Sequence, residues 1–557
     1  MNRDAAIKSI DLALSQRGFA RYRQRPATYS WKGRLSISGT SVPVILEVVD
    51  FDFTRFPEIS LDEPNAGPII PHVRNDDGSI CYLDRNAIVL DRYNPGGTVL
   101  QCLEAAERVL DKGRRGKLRA DFEREFNAYL GGRYGYVDLP DGSSVAHLNM
   151  VMLQKDKEVP VVTVPKGLSS AIAGLHFRNG GKPINPIICP VITVNGPLTV
   201  TGSVNWPPCN VGEIASWLAA LHPGLDTEFW NSMASTQTDV RGCLLRSTNG
   251  ILAALMDVPL SYRTEEFLKN RPEALTRLMH SRPDEFKVNC FSFERLDPAY
   301  VYERNLGGMS PLAGKKLIVV GCGTIGGYLA HQLAQMGAGS GGGRMLLVDS
   351  DTLSAGNLGR HLLGIPYLGA FKAQAVRDHI MANLPGLNVD AVTCDVLSII
   401  PALESGDLVV DATGAEAVSI AINHHMVTAR PKAPPVLHVW LLGNGAAAQA
   451  FLNLGAGRAC FKCLKPELAG QSRIGMLKEG VGTNLAMMQG CANSVYVPYA
   501  STASVQAAAL GARMVMDWAT GRPGQVQRNI VIDPSLANMR KDSSPSPSQK
   551  CPACSGN

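Results

Sequence analysis

Leu317-Ile318-Val319-Val320-Gly321-Cys322-Gly323-Thr324-Ile325-Gly326 is a short apolar strand that runs directly into a Gly-x-Gly-x-x-Gly turn. No other stretch limits the fold as tightly. A strand that is apolar on both faces belongs to a parallel sheet covered by helices. Glycines at this spacing let backbone N–H groups approach phosphate oxygens, and the following helix adds the positive end of its dipole. Strand–helix alternation continues: a helix over Gly326–Met336, a strand over Arg344–Asp349, a helix over Ala370–Asn383, and strands over Asp407–Asp411 and Pro435–Leu442. The expected fold here is a doubly wound, Rossmann-like α/β sheet. The turn alone also suits a dinucleotide dehydrogenase.

Upstream the pattern differs. An amphipathic helix over Asp4–Arg17 precedes strand-like runs at Thr28–Ser38 and Val42–Val49. Asn94-Pro95-Gly96-Gly97 then opens a helical run over Thr98–Leu110, and another helix is expected around Asp121–Leu130. These residues read as one α+β unit. Between 141 and 295, strand candidates such as Val159–Val164 and Ile187–Val194 alternate with proline and glycine, as in a separate mixed α/β body without a chemical signature. The expected division is 1–140, 141–295 and 296–557.

Hydrophobic residues make up 45% of the 557 and charged residues 18%, ample for packed cores. A net charge of +5 is small for this length and makes no case for nucleic acid as a partner. The basic run Lys112, Arg114, Arg115, Lys117, Arg119 reads as a solvated helix face. With no membrane-length apolar run and no apolar core behind Met1-Asn2-Arg3-Asp4, a cytoplasmic chain without a membrane partner is expected. Its thirteen cysteines should then be mostly reduced.

Four of those cysteines form two Cys-x-x-Cys pairs, Cys460/Cys463 and Cys551/Cys554. Together they can supply the tetrahedral S₄ set of a structural Zn²⁺ site; a redox dithiol stays open as the alternative. Lys541–Lys550, rich in Ser-Pro, reads as a linker before the second pair. The scattered cysteines Cys189, Cys209, Cys243 and Cys290 are expected to be buried, and Cys102 to be core.

Asp349 ends the second strand of the alternating region, where an acid holds ribose hydroxyls. The stretch that it opens, Asp349-Ser350-Asp351 then Asn357-Leu358-Gly359-Arg360 and later Lys372, resembles the ubiquitin-activating enzymes and their bacterial adenylyltransferase relatives. The resemblance implies ATP and Mg²⁺. Asp349 would hold ribose, Asn357 and Arg360 phosphates, and Lys372 the charge at the α-phosphate. Arg304, just before the first strand, would reach a partner subunit's nucleotide, which implies a homodimer. The family's metal-binding aspartate is replaced by Gly414 in Asp411-Ala412-Thr413-Gly414, leaving Asp411 or Glu416 as substitutes. The family also places a zinc site on such cysteine pairs and an acyl-accepting cysteine after the first pair. Cys491 occupies that region; a buried, inert cysteine is the other reading.

Near the N-terminus, Pro71-His72-Val73-Arg74-Asn75 and Gly78-Ser79-Ile80-Cys81, with Asn94-Pro95 ahead of a long helix, resemble the active-site stretch of ubiquitin-conjugating enzymes. Cys81 would be the acceptor thiol. The family's Pro-Asn after the histidine is missing, which leaves Asn75 as a stand-in for the oxyanion-binding asparagine.

A ubiquitin-conjugating-like module ahead of an activating-like module resembles the fusion enzyme of cyclic-oligonucleotide anti-phage signalling (CBASS). The resemblance implies a protein substrate with an activatable C-terminus, a cGAS-like nucleotidyltransferase, joined to a target amine. Two other readings stay open: a sulfur-carrier adenylyltransferase, and a non-catalytic protein that binds nucleotide or partner.

Overall fold

A computed structural model describes residues 3–554 apart from segments 25–27, 64–68, 75–76, 83–89, 131–133, 140–141, 155–156, 164–186, 202–205, 236–237, 266, 268–269, 308–311, 385, 456, 468–469, 471 and 488–494. One compact unit ends at Glu294 and another begins at Arg295.

The first unit opens with helix Arg3–Gln16, whose Ala6, Ile7, Ile10 and Leu14 are buried. A four-stranded antiparallel sheet comes next, with strands Ala20–Gln24, Tyr29–Ile37, Thr40–Val48 and Glu58–Leu61 in that order. Alternate residues of its central strands face the core, so Leu35, Val44 and Leu46 pack with Ile10, Leu14, Val99 and Leu103. The hairpin between them turns on Ser38-Gly39, both at positive φ, the twist that suits a two-residue β-hairpin. Helix Pro95–Arg114 closes this core; Asn94 caps it by accepting from Gly97 N–H, and Pro95 takes the first turn, where no N–H is needed. The basic run at its end is exposed, as expected of a solvated face.

The same unit then forms a closed seven-stranded barrel, built from strands Tyr134–Asp138, Val145–Gln154, Lys157–Thr163, Ile187–Thr193, Val240–Arg246, Ile251–Asp257 and Val288–Arg295. Neighbouring residues serve two cores: Leu244 and Ala253 pack with Phe291 and Phe293, whereas Leu245, Leu252 and Ala254 pack with Trp217 and Phe229 of the covering helices. Cys189 and Cys243 are buried as expected, but Cys209 is exposed.

The second unit carries a seven-stranded sheet in the order Val389–Val392, Arg344–Val348, Lys316–Val320, Leu408–Asp411, Val436–Leu442, Ala447–Asn453, Gln527–Val531. The first five strands pair parallel and the last two pairings, on either side of Ala447–Asn453, are antiparallel, so the expected parallel sheet carries an antiparallel edge. Leu317 and Val319 enter one core, Ile318 and Val320 the other, so this strand is buried on both faces. Strand order reverses at Lys316–Val320, and the crevice at the carboxyl end of such a strand is where ligands bind. Lys541–Lys550 is no loose linker: Ser543 exchanges two backbone hydrogen bonds of 2.9 Å with Gln527, extending the sheet edge.

Candidate functional site

The turn after strand Lys316–Val320 is shaped by its glycines. Gly321 has φ 86°, and a Cβ there would lie 2.8 Å from the Thr413 backbone. A Cβ on Gly326 would lie 1.7 Å from the Gly321 carbonyl oxygen, so this glycine lets the helix start against the turn. Gly323 faces open space, and no side chain caps helix Thr324–Gln335 that begins beside it. Unpaired N–H groups of that helix end are available to an anion.

A cavity of about 430 Å³ opens there, and its wall gathers Gly321, Gly323, Asp349, Asn357, Arg360 and Lys372. Residues up to 51 positions apart in the sequence thus share one surface. Asp349 Oδ2 accepts from Cys322 N–H at 2.6 Å and Oδ1 from Asp351 N–H at 2.8 Å, locking the turn to the second strand. Asn357 commits its carbonyl oxygen to the Ser354 N–H and hydroxyl, both at 3.1 Å. Arg360 donates to the Val497 carbonyl at 2.7 Å and lies 4.5 Å over the Tyr499 ring. Its Nε is buried without a partner. Lys372, 11% exposed, pairs with Asp351 at 2.8 Å. Beneath them His361 donates from Nε2 to the Cys322 carbonyl and accepts the Leu363 N–H on Nδ1. Burial keeps this imidazole below its ordinary pKa, which matches that neutral tautomer.

Three predicted residues lie elsewhere. Gly326 supports the turn from behind. Arg304 is exposed, donating to the Tyr300 hydroxyl at 3.0 Å. Asp411 is 1% exposed and does not line the cavity. Its Oδ1 accepts from Thr413 N–H and hydroxyl, and its Oδ2 from the Ser419 hydroxyl at 2.5 Å and His438 Nδ1 at 2.8 Å. Burial alone would raise its pKa, but these bonds outweigh it and keep the carboxyl ionised. Both oxygens are engaged, so no metal reaches Asp411 without breaking this network. Glu416 pairs with Lys465 instead. Tyr499, Thr413 and Asp395, unassigned from sequence, do line the cavity.

Cys460, Cys463, Cys551 and Cys554 come together, with all four sulfur atoms within 4.8 Å of one another. The S···S separations of 3.4, 3.6 and 3.8 Å are close to the ~3.8 Å edge of a tetrahedron with metal–sulfur bonds of ~2.3 Å. Asn423 Nδ2 and the Ser548 N–H point at Cys460 and Cys463 sulfur, as donors to thiolates do. So many thiols this close cannot all ionise unless a cation joins them.

In the first unit Cys81 is exposed. Its N–H donates to the His72 carbonyl at 2.7 Å, just past the bridge between Val73 and Ile80. The His72 ring sits between Asp121 and Glu125, at 3.1 and 3.2 Å. Its pKa is raised to about 9, first by the Cys81 side chain and then, against burial, by the two carboxylates. Cys102 is core, as expected, and burial raises its thiol to about 11. Cys491 and Asn75 lie outside the described residues.

Similarity to known proteins divides the chain in the same way. Residues 302–553 match the ThiF family, and residues 7–132 match Prokaryotic E2 family B. The ATP-dependent ubiquitin transferase-like protein Cap2 of Pseudomonas aeruginosa (strain BWHPSA011 / Pa011) is 31% identical, over 100% of both chains. Its namesake from Escherichia coli (strain TW11681) is 26% identical over 73% of each. A crystal structure of E. coli MccB with ATP aligns with 44% of this chain and 68% of its own, at 18% identity and a TM-score of 0.34, too slight a likeness to carry weight. With a relative that matches from end to end and a family model on each module, the chain belongs to the Cap2 family of ATP-dependent ubiquitin transferase-like proteins, a fusion of a ubiquitin-conjugating-like and a ubiquitin-activating-like module.

Proposed function

We propose that this chain uses ATP to adenylate the C-terminal carboxylate of a protein, then passes that acyl group through Cys491 and Cys81 to a target amine. The observation that carries the reading is the single cavity in which an open glycine turn, an uncapped helix end, Arg360 and Lys372 converge. A carboxylate attacking the α-phosphate builds negative charge on phosphate oxygens, and fixed cations placed there lower the barrier. The buried Arg360 Nε, lacking a partner in the protein, supplies a donor for such an oxygen. Lys372 exchanges Asp351 for phosphate. Asp349 stands at the end of the second strand for ribose, and Asn357 has its amide N–H₂ left for phosphate.

Mg²⁺ would carry charge on the leaving pyrophosphate. Gly414 offers it nothing, and Asp411 is committed to His438 and Ser419. Asp395, on the cavity wall and with Oδ1 alone used by its own turn, would hold it. Zn²⁺ would occupy the four-thiolate cluster and pin the C-terminal segment to the turn at Cys460–Cys463. One zinc per chain is the expected result of metal analysis. Cys463→Ser should lower zinc content and the melting temperature together, and a metal-free wild-type chain would count against the site.

The acyl adenylate would be captured first by the Cys491 thiolate, with AMP leaving, and then by Cys81 through thioester exchange. Each exchange trades one activated acyl for another, so ATP drives only the first step. The carried protein in this reading is a cGAS-like nucleotidyltransferase and the setting cytoplasmic anti-phage defence; the resemblance to the CBASS fusion enzyme supports both. The three bodies, 1–140, 141–295 and 296–557, would then be conjugating, linking and adenylating parts. ATP–pyrophosphate exchange with that substrate tests the reading; tighter binding of NAD than of ATP would overturn it.

Arg304 is proposed to act on the nucleotide of the partner subunit in a homodimer. Arg304→Ala and Lys372→Ala chains, each inactive in exchange, should then recover up to about a quarter of wild-type activity when mixed as dimers, because one mixed active site keeps both residues. No recovery in mixed dimers would contradict action in trans.

A further inference from the structure

His72 is held in an unusual way. Its backbone lies in the left-handed region, φ 66°, which few non-glycine residues adopt. Two bonds fix it there: its N–H donates to the Tyr129 hydroxyl at 2.8 Å, and its carbonyl accepts the Cys81 N–H at 2.7 Å. The ring then meets a carboxylate oxygen at each nitrogen, Asp121 Oδ2 at Nε2 and Glu125 Oε2 at Nδ1. A neutral imidazole has one N–H and can donate from one nitrogen only. Carboxylates at both nitrogens therefore select the doubly protonated ring.

The carboxylates themselves are fixed from the barrel side. Phe122, Phe126 and Leu130, on the other face of the same short helical turns, are buried with Trp206 and Trp217. Trp206 Nε1 donates to the Tyr129 carbonyl at 2.7 Å, and Asn249 Nδ2 to that of Glu123 at 2.6 Å. Residues beyond 140, which the family resemblance leaves without a role, thus brace the turns that clamp His72.

We propose that His72 is a fixed imidazolium whose charge stabilises the Cys81 thiolate, as attacking and as leaving group of its acyl-transfer steps, with Asp121 and Glu125 as its positioning residues. This rests on Cys81 as the acyl acceptor. When an amine attacks the Cys81 thioester, a C–N bond forms and the C–S bond breaks. The thiolate departs beside the imidazolium, and the surplus proton on nitrogen passes to water. Among the described residues, the charged groups near the pair besides the two clamping carboxylates include Arg124, 3.6 Å from Asp121, Glu58 by way of Tyr82, and the Arg74–Asp77 ion pair on the turn between His72 and Cys81. Tyr129, Tyr82 and Cys102 are kept neutral by burial, which raises all three.

The test is the pH dependence of Cys81 alkylation by iodoacetamide in the full chain, followed on the Cys81 peptide by mass spectrometry. His72→Gln should move the midpoint up by about one pH unit or more and slow the reaction roughly tenfold at pH 7. Cys102, buried in the same module, must stay unreactive, which shows that the variant is folded. A folded variant with an unmoved midpoint overturns the proposal. Ring-nitrogen NMR of the unmodified chain needs no variant: His72 should carry both protons at pH 8 and lose one near pH 9, and Asp121→Asn should lower that pH. A ring with one proton at pH 8 also overturns it. Neither measurement needs ATP or an acyl substrate. A thiolate that behaves as expected while Cys81→Ala still forms conjugates would instead refute Cys81 as the acceptor.

Discussion

Cys81→Ala is expected to abolish amide conjugates while the carried protein accumulates on Cys491 as a bond that thiols cleave. A thioester cannot be skipped in this scheme, because an amine must meet an exposed acyl group and Cys81 is the exposed thiol of the conjugating module. Removing it stops the relay one step short. Cys491→Ala should do the opposite: adenylate still forms, but neither cysteine is loaded. Non-reducing gels of the two variants separate the cases, since the bands on Cys491 vanish with thiol and amide conjugates do not. Loading of Cys81 in the Cys491→Ala chain would mean direct transfer from the adenylate, and the order of the relay would be wrong.

Lys372→Ala and Arg360→Ala are expected to cut ATP–pyrophosphate exchange by about 10²–10³-fold each, the usual cost of removing one preorganised donor from a developing oxyanion. Lys372 lies almost buried against Asp351, and Arg360 is clamped by the Val497 carbonyl and the Tyr499 ring, so neither cation needs much reorganisation to act. Arg360→Lys should not restore exchange, because an ammonium cannot both stack on Tyr499 and present the buried Nε–H. Tyr499→Ala should lower exchange less than Arg360→Ala, by loosening the guanidinium rather than removing it. Exchange that survives Lys372→Ala intact would sink the role given to that lysine.

The adenylation module was legible because its determinants are local. The glycines at Gly321, Gly323 and Gly326 are demanded by φ and close approach, and the apolar run before them by burial on both faces. Arg360, Asn357 and Lys372 come within one strand–helix unit. Asp411 was legible as the end of a strand but not as a buried acid, because the partner that commits it, His438, comes 27 residues later from the neighbouring strand. Tyr499 carries no signal of its own; only the stacking on Arg360 gives it a part. The barrel escaped for a topological reason. Its strands carry Pro160 and Pro190, which read as breaks, and its closure sets Tyr134–Asp138 beside Val288–Arg295, from the far end of the unit. The helix expected at Asp121–Leu130 is two short turns, Asp121–Arg124 and Phe126–Tyr129, separated at Glu125. That break falls at one of the two carboxylates facing His72, whose other partner, Asp121, lies 49 residues downstream of it. No spacing rule in the sequence connects them.

The most direct test of protein-carboxylate activation is ATP–pyrophosphate exchange by the full chain with the proposed partner, a cGAS-like nucleotidyltransferase, measured with that protein intact and with its last residue deleted. Exchange that needs the partner and stops when its C-terminal residue is removed is the expected result, since the carboxylate there is the group that attacks the α-phosphate. Exchange that is indifferent to the partner's C-terminus, or no exchange from a chain that binds ATP, would contradict activation of a protein carboxylate at this site.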